Sequence, residues 1–403
     1  IQERLMSCSL LGVSEALNIC PEVKEHLTVL LHSPAVWYFT EVGSYPPLVR
    51  CAALKCYHSF LKNEMLNQEM LGQSVTFVFA LIKDNNRLVQ GTLWTEVMID
   101  LLNKFPQFPS YIDMREALKD LLFCLKRGGS GAGSSFYPAL VKFISFFDEQ
   151  TLKDKQTTQK ILLAIISGLH SDEGSFHGKY ILNAYYEVVG FVYMKVQELR
   201  EDIDEFLVKP VELYLAQKGP LAPNSYFQVI PQLLAQLLGY LETKLDLPDI
   251  SQDLFNMLSE AFSGNQQTAI DFLKALATNL SKQGPYCHSL IQNLIYILHS
   301  QLSQELENKL TLKDVPQLKL KMPLFSSFSN LAVKHSSFEP RVTDWWISGV
   351  QNKLDPKVMK SLASILQLYP EQWLSAVTFS IDNTEFLPVL IPHRPVMSLL
   401  KLK

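Results

Sequence analysis

The segment PPLVRCAALKCYHSFL, residues 46–61, decides the fold class of this chain. Its apolar residues recur at intervals of three and four positions, the spacing that places them on one face of an α-helix. Pro47 suits the first turn of such a helix, and the small side chains of Ala52 and Ala53 let a neighbouring helix approach closely. The segment therefore predicts a helix that packs against other helices.

The same spacing continues along most of the chain, as in Val89, Leu93, Val97 and Leu101. Sustained alternation of apolar and polar residues, which indicates a half-buried strand, is not visible. Glycine and proline interrupt the pattern at the intervals expected between short helices. These features predict an all-α protein.

Related segments recur about every 40 to 47 residues, the period of paired helices of the HEAT or armadillo kind. The segment at 84–102 places Val89 where the opening segment has Val49. The other related segments are residues 133–147, 175–192, 224–241, 265–280 and 355–368. We therefore expect residues 1–403 to form one elongated, right-handed α-solenoid of roughly eight to ten helix pairs.

Composition excludes several classes of protein. The 403 residues are 47% hydrophobic and carry a net charge of -4, which is typical of an ordered globular chain and argues against a general coating of nucleic acid. Residues 219–241 lack charge, but Pro220, Pro223 and Pro231 interrupt them, so we expect no membrane span. We expect a monomer.

The cysteines predict neither a disulfide framework nor a metal site. There is no Cys-x-x-Cys pair, and neither Cys51 with Cys56 nor Cys287 with His288 supplies the four ligands of a zinc site. We therefore expect a reducing compartment and no cofactor in this chain.

The glycine-rich segment RGGSGAGSSFYP, residues 127–138, resembles a phosphate-binding loop at first sight. Its glycines have the spacing of a Walker loop, but Ser134 and Ser135 stand where the lysine and the following hydroxyl residue belong. A turn between two helices explains the segment better. Gly128 or Gly129 would end the first helix, and Ser134 or Ser135 would cap the second.

No catalytic set of residues is visible in the sequence. His58 and His299 lie in predicted helices, where a histidine is usually structural. Asp148 and Glu149 suit the N-terminus of a helix better than an acid–base pair. We expect no enzymatic activity from this chain.

Four cations are candidates for contacts with a partner. Lys126 and Arg127 lie at the predicted end of a helix, beside the glycine-rich segment. Lys319 and Lys321, with Lys313, lie in a weakly periodic stretch marked by proline, which predicts an exposed connection. Such cations either contact phosphate groups or keep a loop soluble.

Trp345 and Trp346 are open to two interpretations. An indole offers a large apolar face that could stack on a base or fill a groove on a partner. Packing in the core is the more common role, and we expect it here.

Three motifs follow one another along the first third of the chain. They are a Pro-x-aliphatic-Arg-x-Ala step, a Leu-Trp helix, and a Gly-Gly-x-Gly loop that leads to Tyr-Pro-x-Leu, and they are formed by Pro47, Val49, Arg50, Ala52, Leu93, Trp94, Gly128, Gly129, Gly131, Tyr137, Pro138 and Leu140. In this order they resemble the N-terminal HEAT region of listerin, the E3 ubiquitin ligase family of ribosome quality control. The similarity covers about residues 5 to 150 and is looser to about 260.

The resemblance implies a cytosolic protein that docks on large ribosomal subunits holding peptidyl-tRNA after a stall, together with other quality-control factors. It also implies that a zinc-binding RING module, which recruits the E2 enzyme, lies outside this chain. We therefore expect a non-catalytic N-terminal piece of a longer ligase. An alternative is a karyopherin-like or phosphatase-scaffold-like module that grips peptides, and a third is a hydrolase that uses the glycine-rich segment.

Overall fold

The structure of the chain is a computed structural model that describes residues 1–33, 35–37, 44–83, 89, 91–126, 133–170, 174–216, 226–244, 256–257, 266–282, 288–308, 315–335, 341–382 and 385–391. These residues are almost entirely helical, and no β-strand is present among them. The predicted all-α class is confirmed for this part of the chain.

The helices are short and follow one another closely. The first eleven are α1 (Gln2–Ile19), α2 (Lys24–Leu27), α3 (Pro47–Lys62), α4 (Gln68–Ala80), α5 (Thr92–Lys104), α6 (Met114–Lys126), α7 (Phe136–Ile144), α8 (Glu149–Leu152), α9 (Lys155–Ser167), α10 (Gly174–Lys195) and α11 (Arg200–Leu215). The later ones are α12 (Ile230–Glu242), α13 (Gln266–Leu280), α14 (His288–Asn308), α15 (Val315–His335), α16 (Thr343–Gln351), α17 (Pro356–Leu366), α18 (Pro370–Ser380) and α19 (Leu387–Leu390).

Each of the related sequence segments overlaps one of these helices. One boundary differs from the prediction, because α5 begins at Thr92 rather than near Val89. Gly91 has an extended conformation directly before the helix, and Val89 is buried ahead of it.

The chain divides into two compact units. Unit 1 comprises Ile1–Pro210 with Ala222–Phe227, and unit 2 comprises Val211–Leu221 with Gln228–Lys403. The boundary falls inside α11, at Pro210. That the whole chain is one elongated domain stays a prediction.

Within unit 1 the helices form two rows. In the first row, α1, α3, α5, α7 and α10 each contact the next. In the second row, α6 contacts α9 and the 3-10 turn Leu81–Lys83 that ends α4. The two rows meet where α4 contacts α5 and α9 contacts α10.

Unit 2, considered by itself, has the same arrangement. Its first row is α12, α13, α15, α17 and α19, and each of these helices contacts the next. Its second row is α14, α16 and α18. Contacts between helices that are near in sequence are a property of stacked helical pairs.

Aromatic side chains fill the space between the rows of unit 1. Trp94 of α5 is fully buried, and its indole N–H donates to the carbonyl of Val78 at 2.7 Å. Phe108 lies between Phe143 and Phe146, with ring centroids 6.2 and 4.6 Å away. Burying rings of this size contributes a large part of the stabilisation of a small core.

Helix α3 also forms buried hydrogen bonds between side chains, one with α1 and one with α4. Its Ser59 hydroxyl lies 2.7 Å from that of Ser14 in α1. The Tyr57 hydroxyl lies 2.6 Å from Ser74 Oγ in α4, and since Ser74 donates to a backbone carbonyl, Tyr57 is the donor. Buried polar groups need such partners, so these bonds fix how the neighbouring helices align with α3.

In the first row, Lys104 and Lys195 each end one helix and donate to backbone carbonyls at or just after the C-terminal end of the preceding helix in that row. The ammonium group of Lys104, the last residue of α5, lies 2.9 Å from the carbonyl oxygen of Leu61 and 3.1 Å from that of Lys62, at the end of α3. Lys195, the last residue of α10, donates to the carbonyls of Ser145 and Phe147 beyond α7. Cations at these positions donate to carbonyls exposed at or beyond the helix C-terminus and complement the helix dipole.

Candidate partner-binding surface

The glycine-rich segment lies between two helices, as predicted. Residues 127–132 lie outside the described residues, so the prediction that Gly128 or Gly129 ends α6 is not tested. Ser135 directly precedes α7, but its side chain does not cap that helix. Its hydroxyl instead lies 3.0 Å from the Thr95 hydroxyl of α5, so the capping role predicted for Ser135 is wrong.

The first pair of candidate cations is only partly described. Lys126 is the last residue of α6, which confirms its predicted place at a helix end. The side chain of Lys126 and the whole of Arg127 lie outside the described residues. Their contact with a partner stays a prediction.

The second pair of candidate cations lies in a helix, so the predicted connection is wrong. Lys319 and Lys321 belong to α15, which continues through Pro323 because Met322 and Phe325 are buried against neighbouring helices. The ammonium group of Lys319 lies 2.6 Å from Asp355 Oδ2. This ion pair connects α15 to the residue that precedes α17.

Lys321 is buried, with 9% of its surface exposed. A lysine with so little exposure contributes mainly through its alkyl chain and its internal partners. Lys319 is thus an exposed cation that pairs within the chain, whereas Lys321 is buried. Contact of either lysine with a partner stays a prediction.

Both tryptophans lie in the core, as expected. Trp346 is fully buried, and its indole N–H donates to the Ser380 hydroxyl at 2.8 Å. Trp345 stacks on His299 with ring centroids 4.6 Å apart, and Phe325 packs beside it at 5.3 Å. Neither indole is available to stack on a base.

The two histidines are structural. His58 Nε2 lies 2.7 Å from Asp100 Oδ2, a contact that joins α3 to α5. Burial lowers the pKa of His58, and the hydrogen bond to Asp100 opposes this effect. Burial also lowers the pKa of His299, whose Nε2 lies 3.4 Å from the carbonyl of Arg341.

The paired carboxylates act at a helix terminus. Asp148 caps α8 through the backbone N–H of Thr151, at 2.8 Å, and hydrogen bonds from Thr151 lower the pKa of Asp148. Glu149 forms an ion pair with Lys153 at 3.1 Å. These contacts confirm the interpretation of the pair as helix-terminal residues.

The sequence did not indicate that Tyr111 is an exposed aromatic residue held in a fixed position. Tyr111 is 49% exposed, yet its ring lies directly over Gly72 of α4, where a β-carbon would collide with it. The Thr76 hydroxyl donates to the Tyr111 carbonyl at 3.5 Å, and the adjacent Phe77 is 45% exposed. Rigid exposed aromatic residues are frequent at the centres of protein interfaces. Only the packing of α4 against the turn before α6 shows that Tyr111 is fixed.

The described residues contain no group of three or more His, Cys, Asp or Glu side chains placed to hold a metal ion. Among these residues, no helix has the length and apolar character needed to cross a bilayer. The described part of the chain consists of successive helices that pack against one another.

One part of the chain matches a known protein family. Residues 2–147 match the family described as "E3 ubiquitin-protein ligase listerin, N-terminal domain", so the predicted similarity is confirmed over this range. The matched residues comprise α1 to α7, which include α3 and the fixed Tyr111. No curated protein and no solved structure matches the chain.

Proposed function

We propose that this chain is the docking and spacer arm of a listerin-type E3 ubiquitin ligase. In this proposal the arm binds large ribosomal subunits that hold peptidyl-tRNA after a stall, so that the nascent chain is ubiquitinated and degraded. The ubiquitin-transfer step belongs to a RING module of the same ligase, which binds zinc and recruits the E2 enzyme. The match of residues 2–147 to the listerin N-terminal domain carries the proposal.

The mechanism rests on stacked helices. We propose that the two rows in each unit are parts of a right-handed α-solenoid, whose continuous core keeps the arm stiff. A stiff arm sets the distance between the docking site and the catalytic module. It acts in the cytosol as a monomer, together with other ribosome-quality-control factors.

Docking on ribosomal RNA is mainly electrostatic in this proposal. Each lysine or arginine that neutralises a phosphate releases counterions, so affinity falls steeply as salt is added. Lys126, the last residue of α6, and Arg127, which follows it in the sequence, are the proposed contacts, and both lie inside the family-matched residues.

Co-sedimentation with purified large subunits over a salt series tests the proposal. The Lys126→Glu/Arg127→Glu double variant should bind more weakly, and the slope of log affinity against log salt should fall by about 2. A matched control is Lys160→Glu/Lys274→Glu, which makes the same charge change at exposed lysines of α9 and α13. Absent binding, or binding indifferent to salt, would contradict the proposal, and capture of transport or phosphatase subunits instead would favour the alternative scaffold.

A further inference from the structure

A cavity of about 330 Å³ lies inside unit 1, between α1, the turn after α2, and α3. Leu5, Leu10 and Val13 of α1 form one side of it, and Val36 lines the opposite side. Cys56 of α3 is the most deeply buried residue in the lining. All the lining residues lie within the range that matches the listerin family, and none of them is a cation proposed to contact the ribosome.

Among the described residues, the lining carries no charged side chain, and the hydroxyls of Ser9 and Ser33 have partners. The Ser9 hydroxyl donates to the Leu5 carbonyl at 2.9 Å. Ser33 Oγ accepts a hydrogen bond from the backbone N–H of Ala35 at 3.3 Å. A charged ligand would therefore lose its hydration here without gaining a counter-ion.

The thiol in the lining is neutral. Burial raises the pKa of Cys56 to about 12, so the thiolate is not formed at neutral pH. A neutral thiol behaves as a small apolar group and is a poor metal ligand and nucleophile. The cavity is thus suited to contact with a hydrocarbon or an aromatic ring.

The size of the cavity agrees with this chemistry. A volume of about 330 Å³ lies at the lower end of the range of small-molecule sites, which is about 300 to 1,000 Å³. An apolar molecule that enters such a half-open cavity removes its own apolar surface and that of the lining from water, which is favourable. Leu5 is 62% exposed, so it leaves an apolar entrance at the surface.

We infer that this cavity binds an uncharged, apolar small molecule of about the size of a bicyclic aromatic ring. The molecule would contact α1, α3 and the turn between them, and would hold α1 against the rest of unit 1. This inference does not depend on ribosome binding, because none of the lining residues is a proposed ribosome contact.

Indole and indole-3-carboxylate, added to the full chain, form a matched pair of probes. Indole should raise the thermal midpoint in a saturable way and slow amide hydrogen exchange in α1. The carboxylate should do neither, because the described lining residues offer no cation. Amide exchange in α13, which lies in unit 2 and outside the lining, is the internal control.

A pair of substitutions tests whether the cavity can accept a larger side chain. Cys56→Leu should fill part of the cavity, leave the thermal midpoint unchanged or higher, and abolish the effect of indole. Cys124→Leu makes the same change at a buried site outside the lining and should lower the midpoint by about 2–4 °C, because it overpacks the core.

Three results would overturn the inference. They are equal indole stabilisation in the wild-type chain and the Cys56→Leu variant, amide exchange in α1 that indole does not slow, and a loss of stability from Cys56→Leu as large as from Cys124→Leu. If Cys56→Leu does not fold, amide exchange in α1 of the wild-type chain with and without indole decides.

Discussion

Helices α3 and α17 begin with similar sequences, yet different kinds of side-chain contact join them to the neighbouring helices. Both have proline at the start and a small residue at the contact, and both lie in the first row of their unit. Helix α3 buries polar residues among its apolar ones, including Tyr57, His58 and Ser59. The buried residues of α17 are Val358, Met359, Leu362, Ala363, Ile365 and Leu366.

This difference separates two kinds of information in the sequence. The apolar spacing makes a helix and buries its face, and in this respect α3 and α17 are equivalent. The buried polar residues of α3 each need one particular partner, so they restrict the alignment of α1, α4 and α5. We expect apolar packing to supply most of the stability of both helices, and polar pairs to specify the arrangement around α3.

The largest effect is expected from the apolar core of α17. Leu362→Ala removes a fully buried side chain and should cost about 2–5 kcal/mol of the unfolding free energy of unit 2, because it leaves a cavity. Urea denaturation measures the change. Ser364→Ala, at an exposed position of the same helix, should change stability by less than about 0.5 kcal/mol.

A smaller effect is expected where α3 meets α5. Asp100→Ala leaves the buried His58 without its carboxylate partner and should cost about 1–3 kcal/mol in unit 1. Amide hydrogen exchange in α3 and α5 measures it. Glu69→Ala, at an exposed position of α4, is the control. Equal effects of the two substitutions would mean that the polar pair does not matter.

Asp355 caps the N-terminus of α17, and this cap should contribute about 1 kcal/mol to the unfolding free energy of unit 2. Asp355 accepts from the backbone N–H of Lys357 at 2.8 Å and pairs with Lys319, which lowers the pKa of Asp355. Asp355→Ala should therefore lower the unfolding free energy of unit 2 by less than Leu362→Ala does. Asp355→Asn, which retains the cap but loses the ion pair, should recover most of the loss.

The smallest effect is a dependence on pH in unit 1. Folding lowers the pKa of His58 through burial, so the unfolded chain takes up the proton first as the pH falls past about 6.5. The stability that neutral His58 contributes is present above that pH and is lost progressively below it. His58→Gln should flatten the profile of α3 hydrogen exchange between pH 7 and 5, whereas His26→Gln, at an exposed position, should not.

The sequence predicted the helices well and their contacts poorly. Apolar spacing is local, so α3 and α17 could be recognised within about four turns of chain. The Ser14–Ser59 contact joins residues 45 apart, and it depends on how α1 stacks on α3. Nothing within either helix specifies that alignment.

The candidate cations show the same limit. Lys319 and Lys321 follow Pro316 and precede Pro323, which predicted a break in the helix. Burial of Met322 against neighbouring helices outweighs the local preference of proline, so the stretch is helical. The resemblance to listerin was more informative than any single cation, because it rests on an ordered series of motifs.

Electron cryo-microscopy of the chain mixed with large ribosomal subunits that carry peptidyl-tRNA tests the central claim most directly. The account predicts helical density for unit 1 on the subunit surface, with the end of α6 near ribosomal RNA. Density that appears equally on empty subunits would indicate nonspecific adhesion. Subunits without any density for the chain, at concentrations well above those of both components in the cell, would contradict the account.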